Sequence, residues 1–232
     1  MIGGKRERML RIPARVLAVI LFLSAQAALA EGHGAQEGVA PDAALKMLRD
    51  GNQRYATSAV NPRHYRAERP KLTKGQKPYA IVLSCADSRV PPEIVFDESL
   101  GRLFVIRVAG NVAGPGEIAS IEYAAEHVGA RLLLVLGHAS CGGVAAAMSP
   151  EDPTPNLAAL LKEIRPAVDT ARAKGVDKDH LAAEAVKENV RLQLKNVTER
   201  SELLKKMAAE GHVGTAGAVY DLASGKVEWL AP

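Results

Sequence analysis

The chain has 232 residues, 47% of them hydrophobic but only 4% aromatic, enough for one sizeable core with an aliphatic, alanine-rich interior. Its 30 Lys and Arg against 26 Asp and Glu give a net charge of +4, yet five of those bases (Lys5, Arg6, Arg8, Arg11, Arg15) and one acid (Glu7) fall in the first thirty residues. The remainder therefore carries 25 of each sign, which argues against nucleic acid or an anionic membrane surface as a partner.

The basic opening runs into a short apolar stretch from Val16 to Leu23 and then into Ala28-Leu29-Ala30. Residues 1–30 thus read as a secretory signal peptide cleaved after Ala30, which implies export across an inner membrane to the periplasm. An uncleaved anchor is the rival reading, but the apolar stretch is short for a bilayer span, so no stable membrane insertion is expected after processing. Residues 31–40 are small, polar and glycine-rich, the composition of a flexible tether, and 41–232 is expected to form one domain.

A helix is predicted over 42–55, where Leu45, Leu48 and Tyr55 recur at helical spacing and Gly51 weakens the last turn. Its apolar stripe needs a partner surface, expected on a second subunit. Residues 61–76 carry prolines and many bases without periodicity and read as an extended surface arm. From Tyr79 onward apolar runs alternate with helical patterns. Strands are predicted at 79–85, 103–109, 132–137 and 214–220, joined by helical crossovers. Ile118, Ile121, Ala125 and Val128 line one crossover helix that Gly129 ends, and Val186, Val190, Leu194, Val197 and Leu204 form one long stripe closed by Gly211. A short antiparallel edge strand over Val227–Leu230 follows the turn at Ser224-Gly225. The fold class is α/β, a mostly parallel sheet of four to five strands flanked by helices, with the N-terminal helical arm packing on a partner.

Two of these strands end in chemistry. Tyr79–Leu83 leads into Cys85-Ala86-Asp87-Ser88-Arg89, and Leu132–Leu136 leads into Gly137-His138-Ala139-Ser140-Cys141-Gly142-Gly143. Cys85 and Cys141 are the two cysteines of the chain, and an exported protein with two cysteines usually pairs them, so a disulfide-containing binding module is one reading. A bridge has no use for His138 three residues before Cys141, nor for Asp87 and Arg89 beside Cys85. Two thiolates, one imidazole and a fourth position that is open or filled by a carboxylate instead suit zinc, at a catalytic more than a structural site, with the charged pair as supporting groups. Ligands about fifty residues apart meet at one metal if the two strands are neighbours, because sites in parallel sheets gather at carboxyl ends.

These two segments, with Arg107-Val108-Ala109-Gly110-Asn111 and Ser120-Ile121-Glu122-Tyr123, closely resemble the signature of the β-class carbonic anhydrases. The resemblance implies zinc held by Cys85, His138 and Cys141, and reversible hydration of carbon dioxide to bicarbonate by zinc-bound hydroxide. It implies that Asp87 accepts a hydrogen bond from that nucleophile while Arg89 keeps Asp87 ionised and oriented. Gly142 carries over as a substrate-contacting position, and Gln76 matches a glutamine that reaches substrate, often across a dimer interface. Tyr123 matches a pocket tyrosine, with a place at the edge of the core as the alternative, and His127 matches a proton-shuttle position of plant members. Family members are dimers or multiples of dimers, so a homodimer or dimer of dimers is implied. Relatives acting on carbon disulfide or carbonyl sulfide make that chemistry the alternative. One subset of the family closes the fourth metal position with its aspartate and binds bicarbonate in a pocket of tryptophan, arginine and tyrosine. Here Arg107 matches the arginine, but Val82 and Gly217 stand at the other two positions, which implies an open fourth position.

Overall fold

Every apolar run predicted as a strand becomes part of one sheet in the computed structural model, which describes residues 38–150 and 153–231. The predicted signal peptide and the first part of the predicted tether, 31–37, lie outside the described residues. β1 (Ala80–Ser84), β2 (Leu103–Arg107), β3 (Leu132–His138) and β4 (Gly214–Tyr220) are parallel, and β5 (Val227–Trp229) runs antiparallel to β4. Their order is β2-β1-β3-β4-β5. Every residue of β1 and β3 is buried, because helices cover both faces of these central strands. This is why their sequences are continuous apolar runs rather than alternating ones.

The twofold period of the strands divides the interior into two layers. Ile81, Leu83, Leu133, Val135 and Val219 face one layer, and Ala80, Val82, Leu132, Leu134, Leu136 and Ala218 face the other. The first layer is closed by α4 (Pro115–Glu126), α5 (Gly142–Met148), α6 (Pro155–Lys162), α7 (Arg165–Ala173), α8 (Leu181–Arg200) and α9 (Glu202–Ala209); the second by α1 (Pro41–Ala56) and the short α3 (Pro92–Val95). Truncating one of the fully buried leucines, Leu134→Ala for example, removes contacts on every side and costs about 2–5 kcal/mol.

Four expectations are corrected. The apolar stripe of α1 is not left for a second subunit: Ala44 and Leu48 are fully buried against Val82, Leu134 and Phe96 of the same chain. Asn52, buried on the same helix, donates to the carbonyls of Val95 (3.1 Å) and Gly225 (2.9 Å) and accepts from the Val227 amide (2.9 Å), so α1 is stitched to α3 and to the β4–β5 turn. The sheet face it covers would otherwise be open, and its own core is the nearest apolar surface. The tether also ends earlier than predicted, since a Cβ on Gly38 would meet the Gly129 carbonyl at 2.1 Å, which means this segment is already seated on the domain.

The arm over 61–76 is not uniformly extended. It forms α2 (Tyr65–Glu68) and a 3-10 turn at Arg69–Leu72, with Pro70 at the start of the turn, a position that needs no proline N–H. Neither buries a residue; the arm is held by ions instead, with Arg54, Arg63 and Asn61 all converging on the buried Asp97. The long stripe over 186–204 is split into α8 and α9 at Ser201, whose extended backbone breaks the helix and whose Oγ accepts from the Leu204 amide at 3.1 Å. Such an N-cap contributes about 1 kcal/mol. No described helix is long and apolar enough to cross a membrane.

Candidate metal centre

The sheet order decides where a site is built. From β1 the chain crosses to β2 on one side, and from β3 it crosses to β4 on the other, so the loops leaving β1 and β3 diverge and leave a crevice at their carboxyl ends. Cys85 follows β1 directly, and His138 is the last residue of β3. Ser140, with φ of 56°, turns the chain back so that Cys141 faces His138 before α5 begins. A serine in this left-handed region is strained, and the strain is held by the Ala139 amide donating to Tyr220 O at 2.8 Å.

The sulfur and ring nitrogen atoms of Cys85, His138 and Cys141 lie within 4.8 Å of one another, and all three residues are buried. The two sulfurs are 4.0 Å apart and both thiols are free. That distance excludes the bonded geometry of a disulfide and is near the separation of about 3.8 Å that two thiolates take on a tetrahedral zinc. His138 is oriented for the same purpose. Its Nδ1 donates to Ala139 O at 2.9 Å, so the proton is on Nδ1 and the lone pair is on Nε2. Nε2 is fully buried and has no hydrogen-bond partner, which is costly unless an ion satisfies it. The donor set therefore fits a soft divalent cation.

Electrostatics around the cluster favour anionic ligands. A hydrogen bond with Cys141 lowers the Cys85 thiol pKa against its burial, helped by His138 and by the amides of Asp87 and Gly110, the last donating to Sγ at 3.4 Å. The same contact, with burial, pushes Cys141 up. One thiolate is thus favoured before any metal arrives, and a cation favours the second.

Asp87 lies beside the cluster, with Oδ2 3.9 Å from His138 Nε2. Arg89 grips both of its oxygens, Nε donating to Oδ1 at 2.9 Å and Nη2 to Oδ2 at 2.6 Å, and the Arg89 amide adds a third bond at 3.0 Å. This grip holds the carboxyl well below the usual carboxylate range in spite of partial burial. The family resemblance connects Arg107 with a bicarbonate pocket, whereas in the structure this residue is a clamp. Its Nε donates to Cys85 O at 3.1 Å and its Nη2 to Asp87 O at 2.5 Å, fixing the backbone on both sides of Ala86. Val82 is buried in β1, and a Cβ at Gly217 would meet Val190 at 2.9 Å and Leu194 at 3.0 Å.

Gly142 is exposed in the first turn of α5, beside Cys141. Gln76, Tyr123 and His127 are not brought to this cluster within the chain. α4 runs about 18 Å back from the carboxyl end of β2 toward the start of β3, and Tyr123 and His127 lie at its far end. There the Tyr123 ring packs on Phe104, near the start of β2, and on His127, with centroids 6.3 and 5.5 Å apart. Gln76 is exposed in the loop entering β1, at the same amino end of the sheet.

A Cys-His-Cys cluster that could hold a metal ion, at the switch point of a parallel sheet and beside an aspartate, is the arrangement of an α/β metalloenzyme. The family model for carbonic anhydrase matches residues 80–227. A carbonic anhydrase of Mycolicibacterium smegmatis is 38% identical over 195 residues, covering 81% of this chain and 92% of the relative. Carbonic anhydrase 2 of Mycobacterium tuberculosis is 35% identical over 192 residues, covering 80% and 91%. The crystal structures described as two tetrameric β-carbonic anhydrases from Sordaria macrospora include a chain that superposes with a TM-score of 0.66 at 26% identity, covering 72% of this chain and 90% of that one. The chain belongs to the β-class carbonic anhydrases, which are lyases.

Proposed function

We propose that this chain is a zinc enzyme that hydrates carbon dioxide reversibly to bicarbonate and a proton, with the metal on Cys85, His138 and Cys141. The observation that carries this reading is the buried, partnerless Nε2 of His138 facing two free thiols 4.0 Å apart. Zinc in such a site supplies a water of depressed pKa, a nucleophile at neutral pH. The chain's own residues do the rest. Asp87, kept ionised by Arg89, is placed to accept the hydrogen bond of the attacking water, aim its lone pair and reject ligands that bring no proton. Arg107 keeps Cys85 and Asp87 in register with each other. Gly142, exposed next to Cys141, is the residue whose amide would donate to a substrate oxygen.

Assembly into dimers, or dimers of dimers, completes the site. β2 is an edge strand with β1 as its neighbour on one side, and exposed apolar side chains lie near it: Leu72 on the arm, against Gly101, Leu100 before the strand, and Tyr123 on Phe104. Two copies joined along this edge by a twofold axis perpendicular to the strand run antiparallel, which sets the amino end of one sheet beside the carboxyl end of the other. Gln76 and Tyr123, remote from their own cluster, then reach the partner's, and His127 stands beside them as a route for protons. The basic and apolar opening of the chain supports export to the periplasm, with a mature chain beginning near Glu31.

The test is elemental analysis of the purified mature protein with an assay of carbon dioxide hydration, run beside carbon disulfide and carbonyl sulfide. About one zinc per chain is expected, with carbon dioxide the preferred substrate. Cys85→Ala, His138→Ala and Cys141→Ala should each lose metal and activity together. A metal-free protein carrying a Cys85–Cys141 disulfide would overturn the proposal.

A further inference from the structure

The turn at Ala109–Asn111 touches the metal centre from behind, and its backbone is unusual: φ is 68° at Gly110 and 47° at Asn111. Glycine and asparagine are the residue types that reach this region at little cost, but both are buried here, so the turn's backbone groups need partners from outside it. It is also closely confined. A Cβ at Gly110 would meet Ile164 at 2.5 Å, and one at Gly143, two residues after Cys141, would meet the Gly110 nitrogen at 3.1 Å.

The support comes from three amides on the inner face of α8. Asn189, 1% exposed, donates from Nδ2 to Gly110 O at 2.8 Å. Gln193, fully buried, donates from Nε2 to Asn189 Oδ1 and to Glu163 O, both at 3.0 Å, and accepts the Ala113 amide at 2.9 Å. Asn196 closes the row by donating to Gln193 Oε1 at 3.2 Å. Val186, Val190 and Val197 on the same helix are ordinary core residues, so polar groups here are an exception, and each is satisfied. What the turn delivers to the site is one group: the Gly110 N–H, 3.4 Å from Cys85 Sγ.

We propose that Asn189 is a positioning residue of the metal centre: by holding the Gly110 carbonyl it keeps the Gly110 N–H on the Cys85 sulfur and so sets how strongly that thiolate donates to the metal. Hydrogen bonds to a ligating sulfur draw charge from it and fix its direction, a recognised means of tuning metal sites. The inference rests on the assignment of Cys85 as a metal ligand.

The experiment uses the full mature chain with cobalt(II) in place of zinc, and reads the thiolate-to-cobalt charge-transfer absorption together with the zinc dissociation constant. Asn189→Ala should shift the absorption and weaken zinc binding about tenfold or more. Asn196→Ala, which shortens the same amide row without touching the turn, should leave both unchanged while lowering the melting temperature. Should Asn189→Ala not fold, Asn189→Ser, which leaves a shorter donor at the same place, is read against the same two outcomes. An unchanged spectrum and zinc constant in the Asn189 variant, or equal shifts in the two variants, defeats the inference while the metal assignment stands. A wild-type chain that takes up neither cobalt nor zinc defeats the metal assignment and this inference with it.

Discussion

Asp87 is anionic and close to the cluster, so its two oxygens have a choice between Arg89 and a cation. Arg89 holds both oxygens through its guanidinium, and Arg107 holds the backbone from which Asp87 projects. Arg89→Ala should release the carboxylate to coordinate the metal proposed for the cluster. Metal content should stay at the wild-type level while hydration activity falls about 10- to 100-fold, and X-ray absorption should show an added oxygen ligand at about 2.0–2.2 Å. Unchanged activity would show that Arg89 does not control Asp87. The part of this arrangement made of side chains was legible in the sequence, because thiols, imidazole and a charged pair stand where apolar strands stop. The clamp by Arg107 was not, because its partners are backbone carbonyls that every sequence has.

The same division holds for the elements. β1 and β3 were readable as strands because burial on both faces writes an unbroken apolar run. The break between α8 and α9 was not readable, since the apolar stripe continues through it and the capping role of Ser201 emerges only with its extended backbone. The packing of α7 on α8 was equally hidden, and ions secure it: Lys174, just past α7, donates to Glu184 and Glu188 on α8, each at 2.6 Å, and Arg191 adds to the grip on Glu188. Burial would raise the Glu188 pKa, but Lys174 and Arg191 hold it below the usual value. A depressed folded pKa contributes stability that is complete above the unfolded value of about 4.3 and disappears as pH falls through the folded one. The melting temperature of wild type should therefore exceed that of Glu188→Gln by its full margin above about pH 5, and the gap should narrow at lower pH. A gap independent of pH would mean that charge at Glu188 is irrelevant to the α7–α8 contact.

At the scale of the whole molecule, β2 is an edge strand, and Leu72, Leu100 and Tyr123 are exposed apolar side chains close to it. Sedimentation of the mature protein should give a dimer or a multiple of dimers. Leu100→Asp, at an exposed position before β2, should shift it toward monomer with little change in subunit secondary structure, and activity should fall with loss of the proposed reach of Gln76 and Tyr123 into the partner's site. A fully active monomer would remove the basis for that cross-subunit arrangement.

The sequence by itself determined the alternation of strands and helices, the set of Cys85, His138 and Cys141 at two strand ends and the Asp87–Arg89 pair, because period and punctuation are local properties of a chain. Only the tertiary structure decided that β1 and β3 are neighbours with their exits diverging, that α1 covers its own sheet, that Tyr123 and His127 lie at the far end from the cluster, and that Asn189 supports the turn behind Cys85. Those facts are contacts between segments tens of residues apart, chosen by which surfaces fit and which buried polar groups find partners.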